Sequence, residues 1–254
     1  MNRTLVIVPT YNETDNVGPL SVSILSACGC ADLLFVDDSS PDGTGEKIEG
    51  LIRKEARIHV LHRKAKSGLG RAYVAGFRWA LERDYNFIFE MDADFSHRPE
   101  DIPRLLEAAN DADIAIGSRY IQGIRVTNWP LSRLILSRGA ALYVRAITGL
   151  PIQDPTSGFK CYRRVVLENL DIESLRSNGY SFQIETLHRA WMRGFRLQEI
   201  PILFEDRTVG VSKMHSGIIK EAFGLVWKLW MRSGFRRHPG QQHPASQAVG
   251  RSES

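Results

Sequence analysis

In the stretch FIFEMDADFSHRPED, residues 87–101, an apolar run climbs into Asp92-Ala93-Asp94. Alternate residues of an extended chain point to one side, so both carboxylates can face one spot. Like charges that close repel each other and are costly to desolvate, and a cation relieves both penalties. A divalent ion suits such hard oxygen donors, with phosphate oxygens completing its octahedron. The plain alternative is a pair of acids in a turn that caps a helix starting near Pro99. Two earlier stretches weigh against the bare turn: VPTYNETDNV (residues 8–17) and VDDSSPDGT (36–44), each following an apolar run. Tyr11 can stack on a base, Glu13 and Asp38 can accept hydrogen bonds from ribose or base, and Pro41-Asp42-Gly43 has turn chemistry.

Basic residues follow the acids. Arg119 stands in GSRYIQG, Arg133 and Arg138 in NWPLSRLILSRGA, Arg207 and Lys213 in EDRTVGVSK. Arginine suits bidentate phosphate contacts and lysine a point contact; taken singly, each is equally well read as a solvated surface charge. These cations lack interleaved aromatics and coexist with three acidic clusters, which argues against a nucleic-acid partner. Gly68-x-Gly70 begins like a dinucleotide fingerprint, but Tyr73 takes the place of the third glycine and the stretch follows the third strand rather than the first. There is no phosphate loop of the GxxxxGK[ST] type, no HExxH and no GxSxG.

The elements that must hold these groups are short apolar runs from Thr4, Asp32, Ile58, Phe87 and Asp113, alternating with helical stretches such as GLGRAYVAGFRWALERD and PEDIPRLLEAAN. Strands of that kind predict a mostly parallel α/β sheet covered on both faces, with ligands at the carboxyl ends of the strands. The chain has 254 residues, 43% hydrophobic and 24% charged, enough for a full core. Its 33 basic residues exceed its 29 acids by only four, so their clustering matters more than their number. Residues 131–149 read as a helix with Leu136, Ala140, Tyr143 and Ile147 on one face and Arg138 and Arg145 on another. A helix around residues 182–193 and a strand near 195–204 follow. Cys28, Cys30 and Cys161 match no zinc or redox spacing and read as reduced thiols of a cytosolic protein. The apolar run of MNRTLVIVPTYNE is too short to read as a signal peptide.

Taken together and in order, PTYNE, VDDSSPDGT, MDADFSHRPE, GSRY, SRGA, DPTSGF and DRTVGVSK resemble the dolichol-phosphate mannosyltransferases, or polyprenol-monophosphomannose synthases, of the family-two glycosyltransferases. The resemblance runs from about residue 5 to residue 214. It implies a GT-A (Rossmann-like) fold over residues 1–215, a GDP-mannose donor, a Mg or Mn ion, and a dolichyl or other polyprenyl phosphate as acceptor. By the same resemblance Pro9, Tyr11, Glu13, Val36 and Asp38 hold the guanosine, and Asp92, Ala93 and Asp94 sit at metal and diphosphate, the two aspartates being the metal ligands. Arg119, Arg207 and Lys213 contact donor phosphates or sugar, Arg133 and Ser137 the acceptor phosphate, and the transfer inverts the anomeric centre. Asp92, Asp94, Arg119 and Arg133 form the catalytic set. Some relatives have a Gln ligand two residues past the acid pair, where this chain has Ser96.

A phosphate monoester is already largely dianionic at neutral pH and needs little help from a general base, and no carboxylate stands out as one. Two other readings stay open: a UDP-sugar donor for the same kind of acceptor, since the residues do not tell guanine from uracil, and a catalytically silent nucleotide-sugar-binding subunit. The segment 216–237 is amphipathic, with Phe223, Trp227, Trp230 and Phe235 among Lys228, Arg232, Arg236 and Arg237. It is too interrupted by charge to span a bilayer and suits peripheral contact with the cytoplasmic face of an anionic membrane, alongside a membrane-embedded partner subunit; its aromatics are equally well read as core. Residues 238–254 lack apolar periodicity and are expected to be disordered.

Overall fold

The structure, a computed structural model, describes residues 3–175, 177–205 and 216–234, the side chains of 216–223 excepted. Seven strands make the central sheet: β1 (Thr4–Thr10), β2 (Ala31–Asp37), β3 (Ile58–His62), β4 (Phe87–Glu90), β5 (Ile114–Ser118), β7 (Lys160–Arg163) and β8 (Leu197–Pro201). Their spatial order is β3-β2-β1-β4-β7-β5-β8, and β6 (Val126–Thr127) pairs separately with β9 (Phe204–Glu205). All neighbours in the large sheet run parallel except β7, which is antiparallel to both β4 and β5.

The apolar strands are continuous because both faces are covered. Leu5 and Ile7 of β1 join a core with Tyr73 and Phe77 of α3 (Leu69–Leu81) and Phe182 of α7 (Gly179–Met192). Val6 and Val8 face the other way, onto Val17, Leu20 and Ile24 of α1 (Thr14–Ala27), Ile48 of α2 (Thr44–Ile52) and Leu105 of α4 (Ile102–Asp111). Period-two alternation thus separates two apolar layers rather than an apolar from a polar face. Gly76 lets α3 approach β1, for a Cβ there would lie 2.7 Å from Ile7 Cγ2. Pro99 opens a 3-10 turn, Pro99–Asp101, that leads into α4, as proline in a first helical turn predicts.

Two expectations need correction, and one strand had no expectation at all. β7, four residues carrying a lysine and an arginine, has no apolar pattern to announce it, and it inserts between β4 and β5. The strand expected near 195–204 is two, β8 and β9, because the chain leaves the large sheet after Ile202, whose N–H still donates to the Ser118 carbonyl oxygen (3.1 Å), and Phe204 pairs with β6 instead. On α5 (Leu131–Thr148) the buried face is Ala141, Val144 and Thr148, while Leu136 and Ala140 are exposed. Apolar residues run nearly all round this helix, so its periodicity does not select a face. α6 (Arg164–Asn169) follows β7, and α8 (Ser216–Arg232) packs on α7 and α5.

Candidate active site

The carboxyl ends of β1, β2, β4 and β5 bring together the residues expected to act. Pro9 and Val36 are register partners at the ends of β1 and β2. Tyr11 follows, its ring under Lys66, whose Nζ lies 3.6 Å from the centroid. The Glu13 backbone N–H donates to Thr44 Oγ1 (3.0 Å) as α1 begins, and Asn16 Nδ2 donates to the Glu13 carboxylate (2.7 Å). Asp38, buried just past β2, is ion-paired to Arg63 at 2.5 Å. Burial pushes its carboxyl above the usual range, with Arg63 opposing the shift. Asp37 beside it belongs to the scaffold and accepts from Thr10 Oγ1 (3.2 Å) and Ser40 Oγ (2.5 Å).

Asp92, Ala93 and Asp94 follow β4, with Ala93 buried and both carboxylates half-buried. Asp94 Oδ1 accepts from the Ser96 backbone N–H (3.1 Å), a tie that fixes the turn. The Asp92 backbone N–H donates to Nδ1 of the buried His97 (3.3 Å). Burial pushes His97 down to about 4, so at neutral pH its ring is uncharged and Nδ1 can accept. The ring stacks on Phe159 at a centroid distance of 5.1 Å. Gly158 leaves the room beside this pair: a Cβ there would stand 3.3 Å from Asp92 Oδ2 and 3.5 Å from His97 Cε1. Below the acids, Lys160 and Glu90 form a fully buried ion pair (3.4 Å), and the Tyr162 hydroxyl donates to the other Glu90 oxygen (3.0 Å). Burial pushes Glu90 up and Lys160 down, and the pair opposes both shifts.

Arg119, one residue past β5, is buried among three rings, Tyr120, Trp129 and Phe204, each 5.4 Å from its guanidinium carbon. Its Nε and Nη2 donate to the two oxygens of Asp154 (2.7 and 2.6 Å), Nη2 also donates to Thr156 Oγ1 (2.8 Å), and its backbone N–H donates to Asp154 as well (3.0 Å). Much of its charge is therefore met within the protein, leaving Nη1 outside the pair. On α5, Arg133 lies 4.2 Å over the Trp129 ring, and Ser137 Oγ accepts from the Tyr120 hydroxyl (2.6 Å). Arg207 and Lys213 lie outside the described residues, as do Phe235, Arg236, Arg237 and the expected disordered tail.

Sequence reasoning passed over Asp154, His97, Lys160, Arg63 and Lys66. Asp154 stands in the DPTSGF motif and His97 in MDADFSHRPE, so both had a signal; nothing local marks Lys160 as buried. Among the described residues no three His, Cys, Asp or Glu side chains cluster as a complete metal cage. A two-carboxylate site of hard oxygen donors still fits a Mg or Mn ion that takes its remaining ligands from phosphate and water. Gly158 keeps the space beside Asp92 clear.

A nucleotide-type parallel half-sheet, an acid pair after its fourth strand and an inserted antiparallel strand define a glycosyltransferase of GT-A fold. The model of "Glycosyl transferase family 2" matches residues 5–171. The chain belongs to that family and, within it, to the polyprenyl-phosphate mannosyltransferase group. It is 48% identical over 240 residues to the polyprenol monophosphomannose synthase of Mycolicibacterium smegmatis, covering 94% of this chain and 91% of that one. It is 47% identical over 242 residues to the undecaprenyl-phosphate mannosyltransferase of Micrococcus luteus, covering 94% of this chain and 99% of the relative. Among solved structures, glucosyl-3-phosphoglycerate synthase from Mycobacterium tuberculosis, in complex with Mn2+, UDP and glucosyl-3-phosphoglycerate, shares the fold. Its TM-score is 0.67 at 16% identity, with 94% of this chain and 82% of that one covered.

Proposed function

We propose that the protein transfers mannose from GDP-mannose to a polyprenyl phosphate, with inversion and with a divalent ion, giving a β-linked mannosyl phosphate lipid. The observation that carries the reading is the placement of Tyr11, Asp38 and the Asp92–Asp94 pair just past the carboxyl ends of the adjoining strands β1, β2 and β4 of a GT-A sheet, in a chain 47–48% identical to enzymes named for this transfer. Pro9, Tyr11, Glu13, Val36 and Asp38 make the nucleoside end, with Arg63 fixing Asp38. Asp92 and Asp94 would hold the Mg or Mn ion, Ala93 lying between them against the diphosphate. When bound, that ion neutralises charge on the departing nucleoside diphosphate.

The rest falls to the chain itself. Neutral His97 holds the Asp92 amide, so the acid pair is oriented before substrate arrives. Arg119, locked by Asp154, presents Nη1 in a fixed direction; Arg207 and Lys213 complete the phosphate contacts in this reading. Arg133 and Ser137 receive the acceptor phosphate at the start of α5. That phosphate, with a second pKa near about 6, attacks as a dianion without a dedicated base.

Residues 1–215 are the catalytic domain in this proposal, and 216–237 the membrane-associating segment at a cytoplasmic membrane face. No helix of the described residues is long and apolar enough to cross a membrane. Val226 and Leu229 of α8 are core, while Trp227 and Met231 are exposed, so the helix serves packing on one side and is open to an interface on the other. The test offers labelled GDP-mannose and UDP-glucose with polyprenyl phosphate, with and without EDTA, to the parent and to Asp94→Ala. Label should enter the lipid phase from GDP-mannose only, in the presence of metal only, and fall by at least about a thousandfold in the variant. Unchanged turnover in Asp94→Ala refutes the mechanism, and transfer from UDP-glucose alone refutes the donor.

A further inference from the structure

The segment QDPTSGF, residues 153–159, is held at both ends, and each end by a different part of the fold. At its start, Glu199 of the edge strand β8 accepts two successive backbone N–H groups, from Gln153 on Oε2 (2.8 Å) and from Asp154 on Oε1 (2.9 Å). At its far end, Ser157 Oγ donates to the Gly117 carbonyl oxygen (2.6 Å), the Gly117 N–H donates to the Phe159 carbonyl oxygen (2.9 Å), and β7 begins at Lys160. The far end lies beside Asp92 and His97, through Gly158 and the Phe159 ring. The start carries Asp154, and Asp154 carries Arg119.

A relay therefore runs from Glu199 through two peptide N–H groups to Asp154 and on to the guanidinium. Asp154 spends both of its oxygens on Arg119, and a bidentate pair of that kind fixes direction as well as distance, so Arg119 follows the backbone that bears Asp154. Only a carboxylate can occupy the first position of the relay: it has two acceptor oxygens and no donor, whereas the amide of a glutamine would turn an NH2 toward one of the N–H groups. Strand β8 does not need Glu199 for its own place in the sheet, since five register pairs, Leu197 to Pro201 against Ile114 to Ser118, already tie it to β5. Charge developing on a leaving diphosphate is met efficiently only by a cation fixed in advance, and a misplacement of about 1 Å can cost about a hundredfold in rate.

We propose that Glu199 is a positioning residue for the transfer, setting through Asp154 the direction in which Arg119 presents Nη1 to the donor. Its carboxylate touches no substrate; it acts by pinning the two amides from which the Asp154 side chain is aimed. The inference rests on the mannosyl-transfer reading for the reaction it serves, and part of its test does not use that reaction.

The test compares the full-length parent with Glu199→Gln, with Glu199→Asp, and with Gln198→Ala as an exposed control on the same strand, all assayed well below their thermal midpoints. In Glu199→Gln, kcat for transfer from GDP-mannose should fall by about 10- to 100-fold while the donor KM stays within about threefold. On an Arg119→Lys background the same change should cost less than about threefold more, because the residue through which it acts is already altered. Glu199→Asp keeps both oxygens but is one methylene short; it should show the same pattern and serves in place of Glu199→Gln if that variant does not fold. Two readouts need no turnover. The Arg119 Nε–H signal in proton–nitrogen spectra, identified by its loss in Arg119→Lys, should shift and exchange faster in both Glu199 variants and not in the control. Mn2+ affinity, titrated by the paramagnetic resonance of the free ion, should stay within about threefold, since Gly117 holds the end of the segment beside Asp92. An unchanged kcat, an equal loss on both backgrounds, an unmoved Arg119 signal, or an equal loss in Gln198→Ala would each overturn the inference. So would a tenfold loss of Mn2+ affinity alongside kcat, the mark of a general loosening. A parent that transfers no mannose refutes the proposed activity instead, and the Arg119 signal then decides the role of Glu199.

Discussion

Replacing Asp154 by alanine should cost more stability than any change at the exposed acids. Asp154 is wholly buried and accepts from Arg119 Nε, Nη2 and backbone N–H and from Thr156 Oγ1, while Arg119 is itself only 5% exposed. Deleting the carboxylate leaves a guanidinium stranded among three aromatic rings, and losing one partner of a buried pair costs about 3–5 kcal/mol. For a chain of this size that corresponds to a fall in Tm of roughly 6–20 °C. The pair should also act as a unit. Arg119→Met/Asp154→Leu removes both charges and fills their volume, and should regain at least half of the stability lost in Asp154→Ala while regaining no mannosyl transfer.

Acid titration gives a third readout of that pair. Burial alone pushes the Asp154 carboxyl up, but Arg119 outweighs it and the net shift is downward. Its contribution is therefore present above the ordinary carboxylate pKa of about 3.9 and is lost as pH falls through the lower folded value. The double variant should lack that acid-side loss. Urea unfolding of the three proteins at pH 7 and pH 3, with transfer assayed in parallel, measures all of this. A single-variant cost below about 1 kcal/mol, or a double variant no more stable than the single, would refute the reasoning.

His188, buried on α7, is pushed down to about 4 by desolvation with help from Arg189. The unfolded chain then binds more protons below its pKa of about 6.5, so stability should drop by about 2 kcal/mol between pH 7 and pH 5, and His188→Leu should flatten that drop in urea midpoints. Gly70→Ala should destabilise by about 2 kcal/mol or more, since its Cβ would meet the backbone carbonyl oxygen of Ser177 at 2.3 Å; a shift in denaturation midpoint checks it. Cys30 is exposed, whereas burial pushes the Cys28 thiol up to about 11 and Cys161 well above its usual value. Brief native treatment with iodoacetamide should add one label, at Cys30, and unfolding should release the other two thiols to mass spectrometry.

The sequence by itself determined the elements that repeat locally. Five apolar runs became five parallel strands because a strand buried on both faces needs only β-rich apolar residues, which chain order shows directly. The polar residues after those runs were legible for the same reason: where apolar character stops, a strand ends, and ligands of such sheets gather there. Tertiary structure alone decided what depends on a partner distant in the chain. β7 exists as a strand because β4 and β5 flank it, and its Lys160 is buried because Glu90 lies across the register. Arg119 read as a phosphate ligand; in the fold Asp154, 35 residues on, holds most of its hydrogen bonds. On α5 the sequence offered apolar residues on every side, and only packing against α8 and the core decided which of them face water. A side chain's burial and charge partner are properties of contacts made across the chain, and no local pattern encodes them.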